Sequence, residues 1–405
     1  MRLLFVHERF GPLGGAESNI LLTAQELVRR GHEVGIAHGG GYAQGDPLWQ
    51  QAFASRFPMD GLPARQAIEA VIAQFRPDVV YLHKCSDPRI LQALSDSRRP
   101  VVRMVHDHDL YCMRSYKYNY FSRRICMRPL SLYCIFPCGA CVARSSDGGV
   151  PIKWVSYLAK RREIEANKRF HRLVVATDYM REELLRNGFA SDQIEIHAPV
   201  PRGGPHDDFP TLSSRNLIVF SGQIIRGKGV DILLHALSRV ESRFECLIFG
   251  DGNQRPRCEF LRDRLGLEGR VHFERFVPQE RIAEAYRDAS VAVMSSVWPE
   301  PFGASGLEAM RSGLPVVAFD AGGISEWLID GVNGFLVPWM DCDTFARRVD
   351  SLLRDKMLAR EMGRAGRSYV DERFDFSSYI GGLEDLFHRA SNSTAMTADH
   401  LGTDA

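Results

Sequence analysis

Ten short runs rich in Val, Ile, Leu and Phe, five in each half of the chain, constrain the fold more than any other feature. In the first half they are Leu3–Val6, Val34–Ala37, Val79–Leu82, Val101–Val105 and Leu173–Ala176; in the second, Leu217–Phe220, Cys246–Phe249, Val271–Phe273, Val291–Met294 and Pro315–Phe319. The runs are continuous rather than alternating, so each strand must be covered on both faces, the condition of a parallel sheet sandwiched by helices. Helical stretches lie between them. The pattern predicts an α/β protein of two Rossmann-like, doubly wound parallel-sheet domains facing a central cleft, with ligands beyond the carboxyl ends of the strands. A chain of 405 residues has room for two such cores.

The Pro/Gly-rich stretch Pro199-Val-Pro-Arg-Gly-Gly-Pro205 has little helix or strand potential and marks the break. The expected organisation is an N-terminal domain over 1–198 with a Cys-rich insert at about 110–145, a linker at 199–214 and a second domain at 215–375. A C-terminal helix at 376–390 and a disordered polar tail at 391–405 complete it. With 51 basic and 50 acidic residues, bulk charge gives no argument for nucleic acid. No apolar run is long enough to span a membrane, and the start MRLLFVHERF runs into charge too soon for a secretory signal. These features predict a cytoplasmic protein, with peripheral contact at the inner membrane surface as an accompanying expectation.

The densest chemistry lies at 295–320. Glu300 and Glu308 are separated by seven residues, and between them Phe302-Gly303-Ala304-Ser305-Gly306 carries an apolar strand into a helix. A helix opening on a glycine turn directs unpaired N–H groups and its positive dipole end at one spot, which suits a diphosphate. Carboxylates beside it can accept hydrogen bonds from sugar hydroxyls. An ordinary strand-turn-helix junction with a solvent-facing Glu308 is the plain alternative. Other strand ends in the second half point the same way. Ser221-Gly222-Gln223 leads to Arg226-Gly227-Lys228, whose cations can neutralise phosphate, Lys as a point charge and Arg bidentately. Gly250 opens a sharp turn after Phe249, and Ala321-Gly322-Gly323 precedes Glu326. In the first half, Gly14-Gly15 opens a helix after the first strand, where a plain tight turn explains the glycines equally well. The run His106-Asp107-His108-Asp109 ends another strand; His106 can reach a ligand, Asp107 and His108 read as loop residues, and a divalent metal is a lesser alternative.

Taken together these residues resemble the retaining, nucleotide-sugar-dependent glycosyltransferases of family four (the group 1 glycosyl transferases), which have the GT-B fold. The resemblance covers nearly all of 1–390 and is most specific over 217–338. It implies that Glu300 contacts the donor sugar and Glu308 the nucleotide ribose, while the amides of Phe302, Gly303 and Ala304 hold the diphosphate. Lys228 matches the family's phosphate-binding lysine, His106 its histidine facing the donor sugar, and Gly14 and Gly15 its N-terminal glycine loop. Where the family usually has an arginine after the loop glycine, this chain has Gln223. A neutral amide cannot stabilise a departing diphosphate as a cation does, and Arg226 is the residue available to fill the gap. The implied partners are a nucleoside-diphosphate sugar and a glycan or lipid-linked acceptor hydroxyl, with no cofactor required for catalysis because Lys228, Arg226 and the helix terminus carry the leaving-group charge. The alternatives are a nucleotide-sugar epimerase or phosphorylase on the same fold, or a non-catalytic sugar-nucleotide-binding protein.

Cysteines cluster at 112, 126, 134, 138 and 141. A reducing compartment disfavours disulfides, and Cys138-x-x-Cys141 has metal-ligand spacing, so structural zinc on Cys112, Cys126, Cys138 and Cys141 stands beside incidental thiols as an expectation. After the insert, KWVSYLAKRREIEANKRFHR reads either as a lipid- or glycan-facing basic helix or as an ordinary solvated one.

Overall fold

The computed structural model describes residues 1–12, 14–40, 46–144, 152–201, 215–275, 277 and 279–399. The expected linker at 199–214 lies, beyond Pro201, outside the described residues, as do 400–405 of the expected tail. The chain forms two compact units, one of Met1–Lys117, Cys126–Arg202 and Phe376–Ala405, the other of Tyr118–Ile125 and Gly203–Asp375.

The first unit is built on a seven-stranded sheet in the spatial order Ser55–Pro58, Glu33–His38, Arg2–His7, Val79–Leu82, Val101–Met104, Arg172–Val175, Ile194–Ile196. Every pairing in it is parallel. The second unit has a six-stranded parallel sheet ordered Val271–Glu274, Glu245–Phe249, Leu217–Ser221, Val291–Met294, Val316–Phe319, Gly334–Val337. In both, the chain works outward from the first strand, then jumps back past it to place the fourth strand on its other side. That reversal opens a crevice beyond the carboxyl ends of the first and fourth strands.

Each of the ten apolar runs contributes to a strand, and burial explains why they are continuous. Leu3, Leu4, Phe5 and Val6 are fully enclosed, as are Val79 to Leu82, because helices cover both sheet faces. One core gathers Leu4, Val6, Ile68, Leu82, Leu91 and Phe170 in the first unit. The other gathers Ile218, Leu234, Ile248, Val293, Val317 and Phe345. Three further strands of these two sheets escaped the sequence reading. Ser55-Arg-Phe-Pro58 and Ile194–Ile196 are short edge strands interrupted by polar residues, and Gly334–Val337 is an edge strand opened by glycine.

The last helix, Phe376–Asp399, belongs to the first unit. Arg30 and His32 hold Glu384 at 2.6 and 2.8 Å, and Tyr379 receives a hydrogen bond from Asn19 at 3.1 Å. The helix continues to Asp399, past residue 390, where the sequence suggested that order ends; the polar run from Ser391 has no Pro or Gly through Asp399 to stop it.

Candidate functional site

In the second unit, two loops meet at the crevice between the first and fourth strands. After strand Leu217–Ser221 the chain passes Gly222 and a single 3₁₀ turn, Arg226–Lys228, into the helix Val230–Leu237. After strand Val291–Met294 it runs through Ser295 and Trp298 to Glu300 and into the helix Ala304–Arg311. Backbone bonds stitch the two: the N–H groups of Val297 and Trp298 donate to the Gly227 carbonyl at 2.8 and 3.1 Å, and Ser295 Oγ to the Lys228 carbonyl at 2.9 Å. Gly229 permits this closeness. Its φ is +64°, and a Cβ there would sit 2.1 Å from the Ser295 oxygen.

The stitching places Lys228 Nζ 2.6 Å from Glu300 Oε1. Glu300 is 2% exposed, and the Ser296 hydroxyl donates to the same oxygen. Lys228 Nζ also lies 5.3 Å from the centre of the Trp298 ring. Burial pushes the Glu300 carboxyl up, but the Lys228 charge and the hydrogen bonds of Lys228, Ser296 and Trp298 hold it below the ordinary value. Glu300 is therefore an ionised carboxylate, fixed in place. Its backbone is clamped as well: its N–H donates to the Ala321 carbonyl at 3.0 Å and its carbonyl accepts from Gly323 at 2.8 Å. The clamp requires Gly322, at φ +70°, since a Cβ there would lie 2.5 Å from the Glu300 carbonyl oxygen and 2.6 Å from its nitrogen. The motif Ala321-Gly322-Gly323 is thus a support for Glu300.

Two residues on from the buried Pro301, the helix Ala304–Arg311 begins at Gly303, in a left-handed conformation and without a side-chain cap. With no side chain capping them, its opening amides meet the condition under which a helix start can bind an anion. The turn is set by Trp327, whose Nε1 donates to the Phe302 carbonyl at 2.6 Å and whose ring packs where a Cβ on Gly306 would fall. Glu308, partly buried on that helix, is pushed up to about 7 by burial, with Arg311 pulling it back. Gln223 is exposed, and Gly250 packs its turn against the Gly222 carbonyl. Arg226 is engaged elsewhere: it donates to the Tyr120 carbonyl at 2.9 Å, with its guanidinium 4.9 Å from the Tyr120 ring centre. Arg123, in the same Tyr118–Ile125 segment, makes a bidentate pair with Asp231 at 3.0 and 2.5 Å. The cations expected to serve as a pair therefore divide, Lys228 facing Glu300 and Arg226 holding a piece of the insert to this unit.

In the first unit, His106 lies at a strand end beside two histidines that the sequence reading did not assign to a site. His106 Nε2 is 2.9 Å from His83 Nδ1, and the rings stack with centres 5.2 Å apart. His7 Nδ1 accepts from the Lys84 N–H at 3.3 Å, and its Nε2 faces Glu17 at 3.4 Å; the other Glu17 oxygen accepts from the Gly14 N–H at 3.0 Å. Burial, with the charge of His7, pushes His106 down to about 3, so the ring is neutral. Among the described residues, beyond its chain neighbours and its own helix backbone, nothing lies within 4 Å of a Cβ built on Gly15. Asp107 caps the short turn His108–Leu110 and pairs with Lys84 at 2.7 Å, while His108 meets the Tyr111 hydroxyl at 2.7 Å, the loop roles read for them. His83 was detectable: like His7 and His106, it directly follows an apolar run.

The structure gives the zinc expectation no support. Cys112, Cys126, Cys138 and Cys141 are free, and among the described residues no three His, Cys, Asp or Glu are grouped to hold a metal. Gly139, at φ +60°, turns the chain between Cys138 and Cys141, and the Cys141 carbonyl accepts from the Val155 N–H at 2.8 Å beside a short hairpin.

The comparisons bear on the family and the fold. A family model described as Glycosyltransferase Family 4 matches residues 13–199, and one described as Glycosyl transferases group 1 matches 206–369. An uncharacterized glycosyltransferase of Methanocaldococcus jannaschii is 36% identical over 141 residues, 34% of this chain and 36% of that protein. A D-inositol 3-phosphate glycosyltransferase of Streptomyces bingchenggensis is 30% identical over 242 residues, 54% of this chain and 53% of that protein. The chain thus spans about half or less of the length of these curated relatives. Among solved structures, Anabaena HepE in complex with UDP and glucose superposes with a TM-score of 0.72 at 20% identity, covering 96% of this chain and 100% of that one. Sucrose-phosphate synthase from Thermosynechococcus elongatus gives 0.74 at 17%, covering 97% and 99%. With both units matched by their own family model and the whole fold shared with these structures, the chain belongs to the group 1 glycosyltransferases of GT-B fold.

Proposed function

We propose that this protein is a retaining glycosyltransferase that moves a sugar from a nucleoside-diphosphate sugar to the hydroxyl of a glycan or lipid-linked acceptor, in glycan or polysaccharide biosynthesis. The observation that carries this reading is the Lys228–Glu300 pair, held at 2.6 Å at the crevice just before an uncapped helix start. Lys228 has three N–H donors, and one bond to Glu300 leaves others for a phosphate oxygen. The amides at Gly303 and Ala304 supply fixed partial positive charge. Glu300, ionised and clamped, accepts hydrogen bonds from sugar hydroxyls, and Glu308 from the ribose. His106, neutral, is assigned a hydrogen bond to the donor sugar.

As the bond between the anomeric carbon and the phosphate oxygen breaks, negative charge grows on the diphosphate, where Lys228 and the helix start stabilise it more than in the ground state. The acceptor oxygen then bonds to the same face of that carbon and its proton passes to the departing phosphate, so configuration is retained. Uridine diphosphate sugars are the donors to test first, since Anabaena HepE was solved with UDP and with UDP-glucose. NMR of the product from an α-linked donor checks the reading: an α product is expected, and a β product overturns retention. A sugar-nucleotide-binding protein without transfer is the second reading, favoured by the exposed neutral Gln223 where the family has arginine. Nucleotide release that rises on adding acceptor supports transfer over this reading and over an epimerase.

A further inference from the structure

The first unit carries a surface that the donor chemistry leaves unexplained. Trp154 is 77% exposed, Leu158 61%, Leu132 62% and Phe136 81%. Leu132, Trp154 and Leu158, with Ile135, line one open groove of about 860 Å³. Large apolar side chains gathered this way are unusual on a protein that meets only water.

Beside the groove lies a hollow of about 590 Å³ walled by Arg65, Arg89, Arg161, Arg162 and Arg169; Leu158 and Arg161 line both. The helix Tyr157–Asn167 explains the junction. It buries Glu163, Ile164 and Asn167 and presents Leu158, Arg161, Arg162 and Glu165 outward at the spacing of one helical face. Arg65 and Arg89 are paired with acids, and Glu165 is drawn to Lys168 at 3.0 Å, but among the described residues no acid pairs with Arg161 or Arg162. An apolar strip thus borders two cations that, among the described residues, no acid pairs with.

We propose that this face docks on an anionic lipid bilayer, with Trp154, Leu158, Leu132 and Phe136 entering the headgroup boundary and Arg161 and Arg162 meeting lipid phosphates. Exposed tryptophan favours that boundary, where its ring is apolar and its N–H remains wet. The arginines supply the salt-sensitive share of binding. A protein partner would more naturally be met by a covered apolar patch with a mixed-charge rim, whereas a rim of unpaired arginines complements a uniformly negative surface.

The test uses the full chain and vesicles of phosphatidylglycerol mixed with phosphatidylcholine, against phosphatidylcholine alone. Expected results are co-sedimentation with the anionic vesicles only, weakening with salt, and a blue shift of tryptophan emission that disappears in Trp154→Phe although binding persists. Trp154→Ser with Leu158→Ser, or Arg161→Glu with Arg162→Glu, should each weaken partitioning at least tenfold with an unchanged melting temperature, since all four side chains are exposed. Equal affinity for both vesicle types, binding indifferent to both double variants, or a concentration-dependent dimer abolished by Trp154→Ser would overturn the proposal. Donor binding in vesicle-free solution is read separately, so failure here is distinguishable from failure of the transfer reading.

Discussion

The two units repeat one topology and fill its crevice with opposite chemistry. In each, strand order reverses between the first and fourth strands, and the residues just beyond those strands form the site. In the second unit that position holds an ion pair, Lys228 with Glu300, beside an uncapped helix start. In the first it holds His7 and His83 with Glu17, joined by His106 from the end of the neighbouring strand Val101–Met104, and burial keeps His83 and His106 neutral. The scaffold decides where a ligand can lie; a handful of strand-end residues decides what it is. A cation that shares its carboxylate suits a polyanion, whereas neutral imidazoles suit hydroxyls, to which they offer hydrogen bonds without a charge.

The sharpest way to break the contrast is to remove its charge. Lys228→Met should lower transfer by about 10²–10³-fold at saturating donor, the scale of losing one charge-stabilising donor. It should also destabilise the second unit by about 3–5 kcal/mol, because Glu300 remains buried without its counterion. Chemical denaturation checks this through a second variant: Lys228→Met with Glu300→Gln should regain stability and stay inactive. Equal stability of the single and double variants would refute the pairing argument. Next in size is a glycine comparison. Gly322→Ala drives a methyl into the Glu300 backbone and should cost about 2 kcal/mol or more, with donor affinity falling alongside. Gly15→Ala meets open space, so its melting temperature should hold; any loss of donor or acceptor affinity there reports a ligand approaching the backbone.

The contrast was only half legible in the sequence. Glu300, Lys228, Gly303 and the glycine turns stand out because a helix start and the Glu-x7-Glu spacing are local patterns. Ser296 and Trp298 reach Glu300 by the folding of their own loop, and Trp327 reaches Phe302 from 25 residues away, contacts that spacing does not report. Arg226 shows the opposite failure: its place in the loop suggested phosphate, and only the packing of Tyr118–Ile125 on this unit reveals its engagement with Tyr120. His83 sits 23 residues from His106, and parallel strand pairing alone brings them together.

Glu308 gives a prediction of intermediate size with a defined sign. Its carboxyl is raised to about 7 by burial, so the folded state binds a proton that the unfolded state has already lost between pH 4.5 and 7. Its contribution is fully present below pH 4.5 and is lost as pH rises through 7, a swing of about 3 kcal/mol at most. Glu308→Gln should therefore melt higher than the parent at pH 8 and equally at pH 4, while donor binding weakens where ribose bonds to the carboxylate. A parent-minus-variant difference that does not change between those pH values would contradict the assignment.

The smallest expected effect tests the neutral side of the comparison. His83 Nε2 is buried with no hydrogen-bond partner among the described residues, and an N–H stranded there would be costly. His83 therefore carries its proton on Nδ1 and donates it to His106 Nε2, 2.9 Å away. His106 must then hold its own proton on Nδ1, which makes that nitrogen a hydrogen-bond donor of fixed identity. His83→Phe keeps an aromatic ring against Phe5 and Tyr81 but removes the donor. In nitrogen-15 NMR the His106 signals should move from a single Nδ1–H tautomer to a mixture, with kcat falling about three- to tenfold. An unchanged His106 tautomer in this variant would mean that His83 acts as packing alone, and a His106 that titrates near pH 6 in the parent would remove the neutral half of the contrast.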